Sequence, residues 1–245
     1  MALSKVFIWP FAESYAVIHG ADRDTTLCLN LDPKNREEMD IHTHKQIEDA
    51  IISCEPDDFS PQAHFLYAVA IHPWNTTSVN EEQWQKLEAA ANHPQVVAIG
   101  ETGLDKRRGA NMATQLALLE RHATLAEKHA LPLLLHLVKS SNELLHWNRE
   151  RQRSVPMIIH GFRGNKQIAK QLLEAGFYIS FGEHYQLEAL ECTPIDHLFI
   201  ETDTAEATIE SIYAKIAIDK KITLSILEKQ VFENYRKLFL RDKSL

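Results

Sequence analysis

Cysteine is scarce in this chain. The three present, Cys28, Cys54 and Cys192, are far apart and form no CxxC pair. An odd, dispersed set argues against a disulfide framework and against a zinc–thiolate site, and favours a reducing compartment, read here as the cytoplasm. Glycine and proline are few as well, 8 and 9 among 245 residues, which argues against a fibrous or low-complexity chain. No apolar run approaches the roughly 18 residues that span a bilayer. The opening stretch is interrupted by Lys5, Pro10 and Glu13 and lacks a signal-peptide core and cleavage site. An excess of basic charge is also missing: 26 Lys and Arg stand against 34 Asp and Glu, a net charge of −8. The overall balance therefore announces no nucleic-acid partner, although a metal centre would add local positive charge that such a count omits.

What is present suits one large globular domain. The chain is 44% apolar and 24% charged, enough for a sizeable core. From about residue 40, short apolar runs alternate with helical patterns. The runs are Asp40–His44, Ala50–Cys54, Phe65–His72, Val96–Glu101, Pro132–His136, Pro156–His160, Phe177–Phe181 and His197–Asp203. They are continuous rather than alternating, as in parallel strands buried on both faces. Helical patterns fall at Glu81–Asn92, Met112–His129, Asn142–Arg151, Lys166–Ala175, Glu206–Ile218 and Thr223–Phe239, the last with Thr223 as its N-cap. Repeated strand–helix alternation to eight strands predicts an α/β fold, a (β/α)8 TIM barrel. Only Lys45–Asp49 and Glu55–His64 separate the first three strands. A crossover needs about a dozen residues, so the barrel is trimmed in its first two βα connections, or one of those strands is misassigned.

Residues 1–38 precede the barrel and match no βα unit. Val6–Phe11 reads as an extra strand, and Thr25–Glu38 as a strand followed by a polar linker. Met39 stands directly before the first barrel strand and offers an alternative start; a terminal lobe packed on the barrel is the other reading. The division is therefore an N-terminal extension, 1–38, of unassigned role, and a barrel, 39–245.

The chemistry lies at the ends of the strands. DIHTH, VVAIGE, PLLLH, PMIIH and FIETD all stop at a side chain able to hold a metal. In a βα barrel those ends converge on one face. His42 and His44, two apart on a strand, share a face and can chelate one cation. Glu101 can bridge two cations, one through each oxygen. His136 and His160 can hold the second cation. Asp203 can ligate the first and orient an attacking water. A lone strand histidine is more often a core residue, and a lone HxH is weak. Four histidines, a glutamate and an aspartate all at strand ends are hard to explain as packing, because ionisable groups are rarely buried without a partner or a metal. Mixed imidazole and carboxylate donors suit Zn, Mn or Mg, two divalent ions per chain.

The successive segments DIHTH, AIHPW, AIGETGLD, LLLH, IIHGFRGN, YISFG and FIETD resemble, in order, the signatures of the TatD-type metal-dependent deoxyribonucleases, amidohydrolase-like barrels. The closing VFENYRKLF resembles that family's C-terminal helix, with Asn234 in the matching place. The resemblance implies that His42, His44, Glu101 and Asp203 hold one metal and that Glu101, His136 and His160 hold the other. It places His72 and Asp105 near the pocket, His72 as a substrate-binding or ligand-supporting residue. Glu201, two before Asp203, is read as able to point to the same side, to orient a ligand or take a proton, or equally to form a salt bridge behind a ligand. With Asp203 and Glu101 it completes the catalytic set.

The chain also departs from the pattern. The first motif follows 38 residues instead of opening the chain. Thr204–Ala205–Glu206 follows FIETD where a small residue, proline and an aromatic are usual, and Lys106–Arg107–Arg108 follows GETGLD where an aromatic pair is common. Lys106, Arg107, Arg108, Lys139, Arg163 and Lys166 all follow strand ends on one face and are read as a phosphate-neutralising rim, with Lys106, Arg107 and Arg163 foremost. Trp74 and Phe162 are read as base-stacking or core-covering residues.

The function expected is hydrolysis of DNA phosphodiester bonds at a two-metal centre, with DNA as partner, no membrane and no obligate protein partner. Hydrolysis of a carboxylic ester or amide, such as an aminoacyl-RNA bond, is the rival within enzymes. A metal- or nucleic-acid-binding module without catalysis is the rival outside them.

Overall fold

The computed structural model describes residues 15–19, 26–30, 38–151 and 154–240. Two short strands, β1 (Tyr15–His19) and β2 (Thr26–Asn30), pair antiparallel. The second lies within the segment expected as strand plus linker; the first was not read from the sequence. Val6–Phe11 and the linker at 31–37 lie outside the described residues.

Eight parallel strands follow: β3 (Asp40–Thr43), β4 (Ala50–Cys54), β5 (Leu66–Val69), β6 (Val96–Asp105), β7 (Leu133–Val138), β8 (Met157–Ile159), β9 (Tyr178–Phe181) and β10 (Leu198–Ile200). Each pairs with the next in chain order. The sheet returns on itself where Thr43 bridges Asp203 and the Asp203 amide donates to the His42 carbonyl at 2.9 Å. This is the expected TIM barrel. Every expected barrel strand is found, so neither of the first two was misassigned. Among the described residues, no helix lies between β3 and β4 or between β4 and β5, so the trimming is real.

Among the described residues, seven α-helices cover the barrel or its ends: α1 (Glu81–Ala90), α2 (Met112–His129), α3 (Ser141–Arg151), α4 (Lys166–Glu174), α5 (Leu187–Cys192), α6 (Ile209–Lys220) and α7 (Leu224–Phe239). Side-chain oxygens of Asn80, Asn111, Asn165, Thr208 and Thr223 cap five of the first turns, satisfying amides that have no partner inside the helix. The expected helix at Glu206–Ile218 starts three residues later, because Thr208 is the cap. The six-residue α5 was not expected; it is too short for a periodic signal and its cap position, Gln186, makes no capping bond. None of the described helices is long and apolar enough to cross a membrane.

The strand interiors are buried throughout β3, β5, β6 and β8. On α7, the Asn234 amide donates to the Ile195 and Leu198 carbonyls at 2.8 and 3.0 Å, fastening the last helix to the entry of β10. Beneath the barrel wall, His122 of α2 is fully buried against Trp84. Its Nε2 accepts from the Ile71 amide at 3.1 Å, and its Nδ1 lies 2.8 Å from the Leu118 carbonyl. A ring that accepts through one nitrogen and donates through the other must be neutral, and burial pushes its pKa down to about 4. The unfolded chain takes up this proton near 6.5 and the folded chain only near 4, so this stabilisation is complete above pH 6.5 and is lost as pH falls toward 4. The loss expected is about 3 kcal/mol. Urea unfolding of wild type and His122→Gln between pH 7 and 4 checks this: the difference between the two should shrink by that amount.

Candidate metal centre

The C-terminal ends of β3, β6, β7, β8 and β10 bring the six expected side chains to one place. His42 Nε2 lies 3.5 Å from Glu101 Oε2 and 3.7 Å from Asp203 Oδ1. His44 Nε2 lies 3.7 and 3.6 Å from the same two atoms. On the other oxygen, Glu101 Oε1 meets His136 Nδ1 at 2.6 Å and His160 Nε2 at 2.6 Å. Glu101 thus stands between two groups, one per carboxylate oxygen.

The first group fits a cation. A tetrahedral ion with ligand bonds of about 2.0–2.1 Å spaces its donor atoms about 3.3 Å apart, close to the separations found. His42 is completely buried, yet its Nε2 has no hydrogen-bond partner among the described residues. A buried polar atom left unpaired is costly, and a ligated ion removes that cost. In the second group the donors sit at hydrogen-bond distance, and His72 Nε2 joins them, 3.0 Å from Glu101 Oε1. His72 therefore reaches the donor cluster itself: His72, Glu101 and His136 have donor atoms close enough to share one ion.

Three of the inward-facing rings are aimed by a contact behind them. Ser53 Oγ lies 2.9 Å from His42 Nδ1, Asp105 Oδ2 lies 3.2 Å from His136 Nε2, and Glu201 Oε1 lies 3.2 Å from His160 Nδ1. Such partners fix which nitrogen carries the proton and leave the other free to ligate. Asp105 is in turn held by Trp74 Nε1 and the Arg107 amide, each donating at 2.7 Å. Burial alone would raise the Asp105 pKa, but these donors and His136 bring it below the usual range. Burial works against the Glu101 charge too, and is overcome by the His160 charge, by close contacts from His136 and His160 at 2.6 Å and by His44 at 3.7 Å, leaving Glu101 well below the usual range.

Local backbone needs explain why this sequence builds the site. Gly103 has φ +139°, and a Cβ there would stand 2.1 Å from the His136 carbonyl oxygen. Only glycine lets β6 pass this close to the strand that carries His136. Asp40 pins the barrel seam: its carboxylate accepts from the His42 amide, the Thr202 amide and the Thr202 hydroxyl at 3.2, 3.1 and 2.6 Å. Burial raises the Asp40 pKa to about 7 even against those donors.

Glu201 and Asp203 both face the donor cluster but meet different histidines, Glu201 the Nδ1 of His160 and Asp203 the Nε2 atoms of His42 and His44. The strand ends at Ile200, and Asp203 adopts a left-handed φ of +51°, so strand alternation no longer applies. Asp203 opens toward the cavity, while Glu201 is fully buried behind His160. Glu201→Gln keeps the volume and removes the charge behind His160; metal affinity is expected to fall 10- to 100-fold, measured by calorimetric titration.

A cavity of about 1000 Å³ opens above the centre. Of the six rim cations, Arg107, Lys139 and Arg163 line it, and among the described residues none of the three is ion-paired. Lys106 is held by Glu143 at 2.6 Å and does not line the cavity, because that ion pair draws it outward. Arg108 lies over the Trp74 ring, 4.2 Å from its centroid, and Lys166 opens α4 outside the lining. Both Trp74 and Phe162 line the cavity; Trp74 is 45% exposed, whereas Phe162 is largely buried and packs edge-on against Phe181.

The model of the family described as TatD related DNase matches residues 59–240, most of the chain. The chain belongs to the TatD-related DNase family. The matched span includes Glu101, His136, His160 and Asp203; His42 and His44 precede it. Among its relatives is a protein of Buchnera aphidicola described as an uncharacterized metal-dependent hydrolase, 33% identical over 57% of this chain and 56% of that one. YabD of Bacillus subtilis, described in the same terms, is 26% identical over 71% and 78%. A 3'-5' ssDNA/RNA exonuclease TatD of Cronobacter turicensis is 33% identical over 54% of each. The chain thus spans little more than half the length of two of these three relatives. The crystal structure of a TatD homologue of Escherichia coli shares the fold, with a TM-score of 0.66 and 18% identity over 79% of this chain and 86% of that one. A TatD-family hydrolase of Entamoeba histolytica does likewise, with a TM-score of 0.65 and 21% identity over 78% and 84%.

Sequence reasoning passed over Asp40 and Ser53. Asp40 carried a signal, a charge opening a strand that had to be buried. Ser53 carried none, because its role depends on the register that sets β4 beside β3.

Proposed function

We propose that the barrel of residues 39–245 is a metal-dependent phosphodiesterase that cleaves DNA, with residues 1–38 as an extension to which no role is assigned. The observation that carries this reading is the bridging placement of Glu101, with one donor group on each carboxylate oxygen. His42, His44, Glu101 and Asp203 would hold one divalent ion, Mg, Mn or Zn, and Glu101, His136 and His160 a second, with His72 beside it. When bound, such ions acidify water and stabilise charge developing on phosphoryl oxygens.

The chain's own residues supply the rest. Asp203 is held ionised: burial would raise its pKa, but the His42 ring 3.7 Å away, then the charge of His160, bring it below the usual range. It stands ready to accept the proton of the attacking water. The water oxygen bonds to phosphorus, the bond from phosphorus to the leaving sugar oxygen breaks, and that oxygen takes a proton. Arg107, Lys139 and Arg163 neutralise neighbouring phosphates. Glu201 acts from behind His160. A cytoplasmic setting suits the free thiols of Cys54 and Cys192.

The test is a labelled single-stranded oligonucleotide given to chelator-stripped protein before and after Mg, Mn or Zn is added, beside a panel of carboxylic esters. Metal-restored cutting of the oligonucleotide is expected. Turnover of esters alone would replace this reading by its rival, and binding without turnover of either would point to a non-catalytic module.

A further inference from the structure

The cavity walls are electrically divided. The loops after β6, β7 and β8 contribute the unpaired cations Arg107, Lys139 and Arg163. The loop after β4, on another sector of the barrel mouth, contributes Glu55 and Asp58. A third acid of that loop, Asp57, is neutralised by Lys86 at 2.7 Å and does not line the cavity. Among the described residues, neither Glu55 nor Asp58 pairs with a lysine or arginine.

This acidic wall is fixed in place. Glu55 Oε1 accepts from the His72 amide at 2.9 Å and from Asn75 Nδ2 at 2.8 Å. The loop is pinned by the Asp58 amide donating to the Glu55 carbonyl and by Phe59 packed edge-on against Tyr67. It is also next to the metal centre, since the same His72 whose amide binds Glu55 places its ring 3.0 Å from Glu101. The absence of a helix between β4 and β5 lets this loop stand at the cavity edge.

Resting on the phosphodiesterase reading, we infer that Glu55 and Asp58 close the cavity as a terminus reader, which admits a strand end bearing a hydroxyl and rejects one bearing a phosphate. A polyanion can lie along the cationic sector up to the metal centre. It cannot continue past the acidic sector without setting phosphates against two carboxylates. A terminal hydroxyl can donate to a carboxylate there, whereas a terminal phosphate adds nearly two negative charges. The strand must then end at that wall, which makes the cutting proceed from an end.

The experiment uses the full chain loaded with Mn and single-stranded DNA oligonucleotides with a hydroxyl or a phosphate at either terminus, together with a closed single-stranded circle. For the end from which cutting proceeds, kcat/KM is expected to favour the hydroxyl by at least about 30-fold, the effect of juxtaposed like charge. The circle is expected to stay intact. In Glu55→Gln/Asp58→Asn the ratio should fall below about 3-fold. Fluorescence anisotropy of the same oligonucleotides in chelator should show the same order of preference without turnover. Equal cutting of both termini, cutting of the circle, or an unchanged ratio in the double variant overturns the terminus reader and leaves the phosphodiesterase reading standing. No cutting of any oligonucleotide overturns both.

Discussion

Glu101→Gln is expected to lower hydrolysis by at least about 10³-fold, equivalent to about 4 kcal/mol of lost charge stabilisation. The glutamine keeps the size of the side chain but carries no charge and has one oxygen instead of two. In the wild type both oxygens face donors, Oε2 toward His42 and His44 and Oε1 toward His136 and His160. The amide nitrogen cannot ligate a cation, so one of the two groups loses its shared member. Metal analysis should therefore show a smaller complement of bound ion together with the loss of rate. A rate loss with full metal content would mean that Glu101 acts on substrate rather than as a bridge.

Asp203→Asn separates ligation from proton transfer. The asparagine can still offer an oxygen where Asp203 Oδ1 stands, 3.6 to 3.7 Å from His44 and His42. It cannot accept the proton of an attacking water. Loss of a positioned general base costs about 10²- to 10⁴-fold. Metal content should stay close to that of the wild type while kcat falls by that factor, with KM little changed. A variant that loses metal and activity together would assign Asp203 mainly to ligation.

The fold was legible because burial on both faces forces each barrel strand to be a continuous apolar run. PLLLH and PMIIH could be read as strands ending in a histidine, and the structure ends β8 one residue before His160 and carries β7 two residues past His136. The clustering of His42, His44, Glu101, His136, His160 and Asp203 was equally legible, since a closed parallel barrel gathers its strand ends. Less visible was anything set by register or by departure from strand geometry. Ser53 behind His42 comes from the neighbouring strand and Trp74 behind Asp105 from the turn after β5, and their contacts depend on pairings that no local pattern encodes. The left-handed φ at Asp203 takes that residue out of strand alternation, and the contact of Glu201 with the far nitrogen of His160 depends on the pairing of distant strand ends. Among the rim cations, sequence showed six charges on one face but not that Glu143 draws Lys106 away while Arg107 and Arg163 stay free to line the cavity.

The most direct test is a crystal of the protein soaked in Mn and examined for anomalous scattering. Two peaks are expected, one on each side of the Glu101 carboxylate, the first ringed by His42, His44 and Asp203 and the second by His136 and His160. A map with no peak at Glu101, or with ions held by other side chains, would contradict the account.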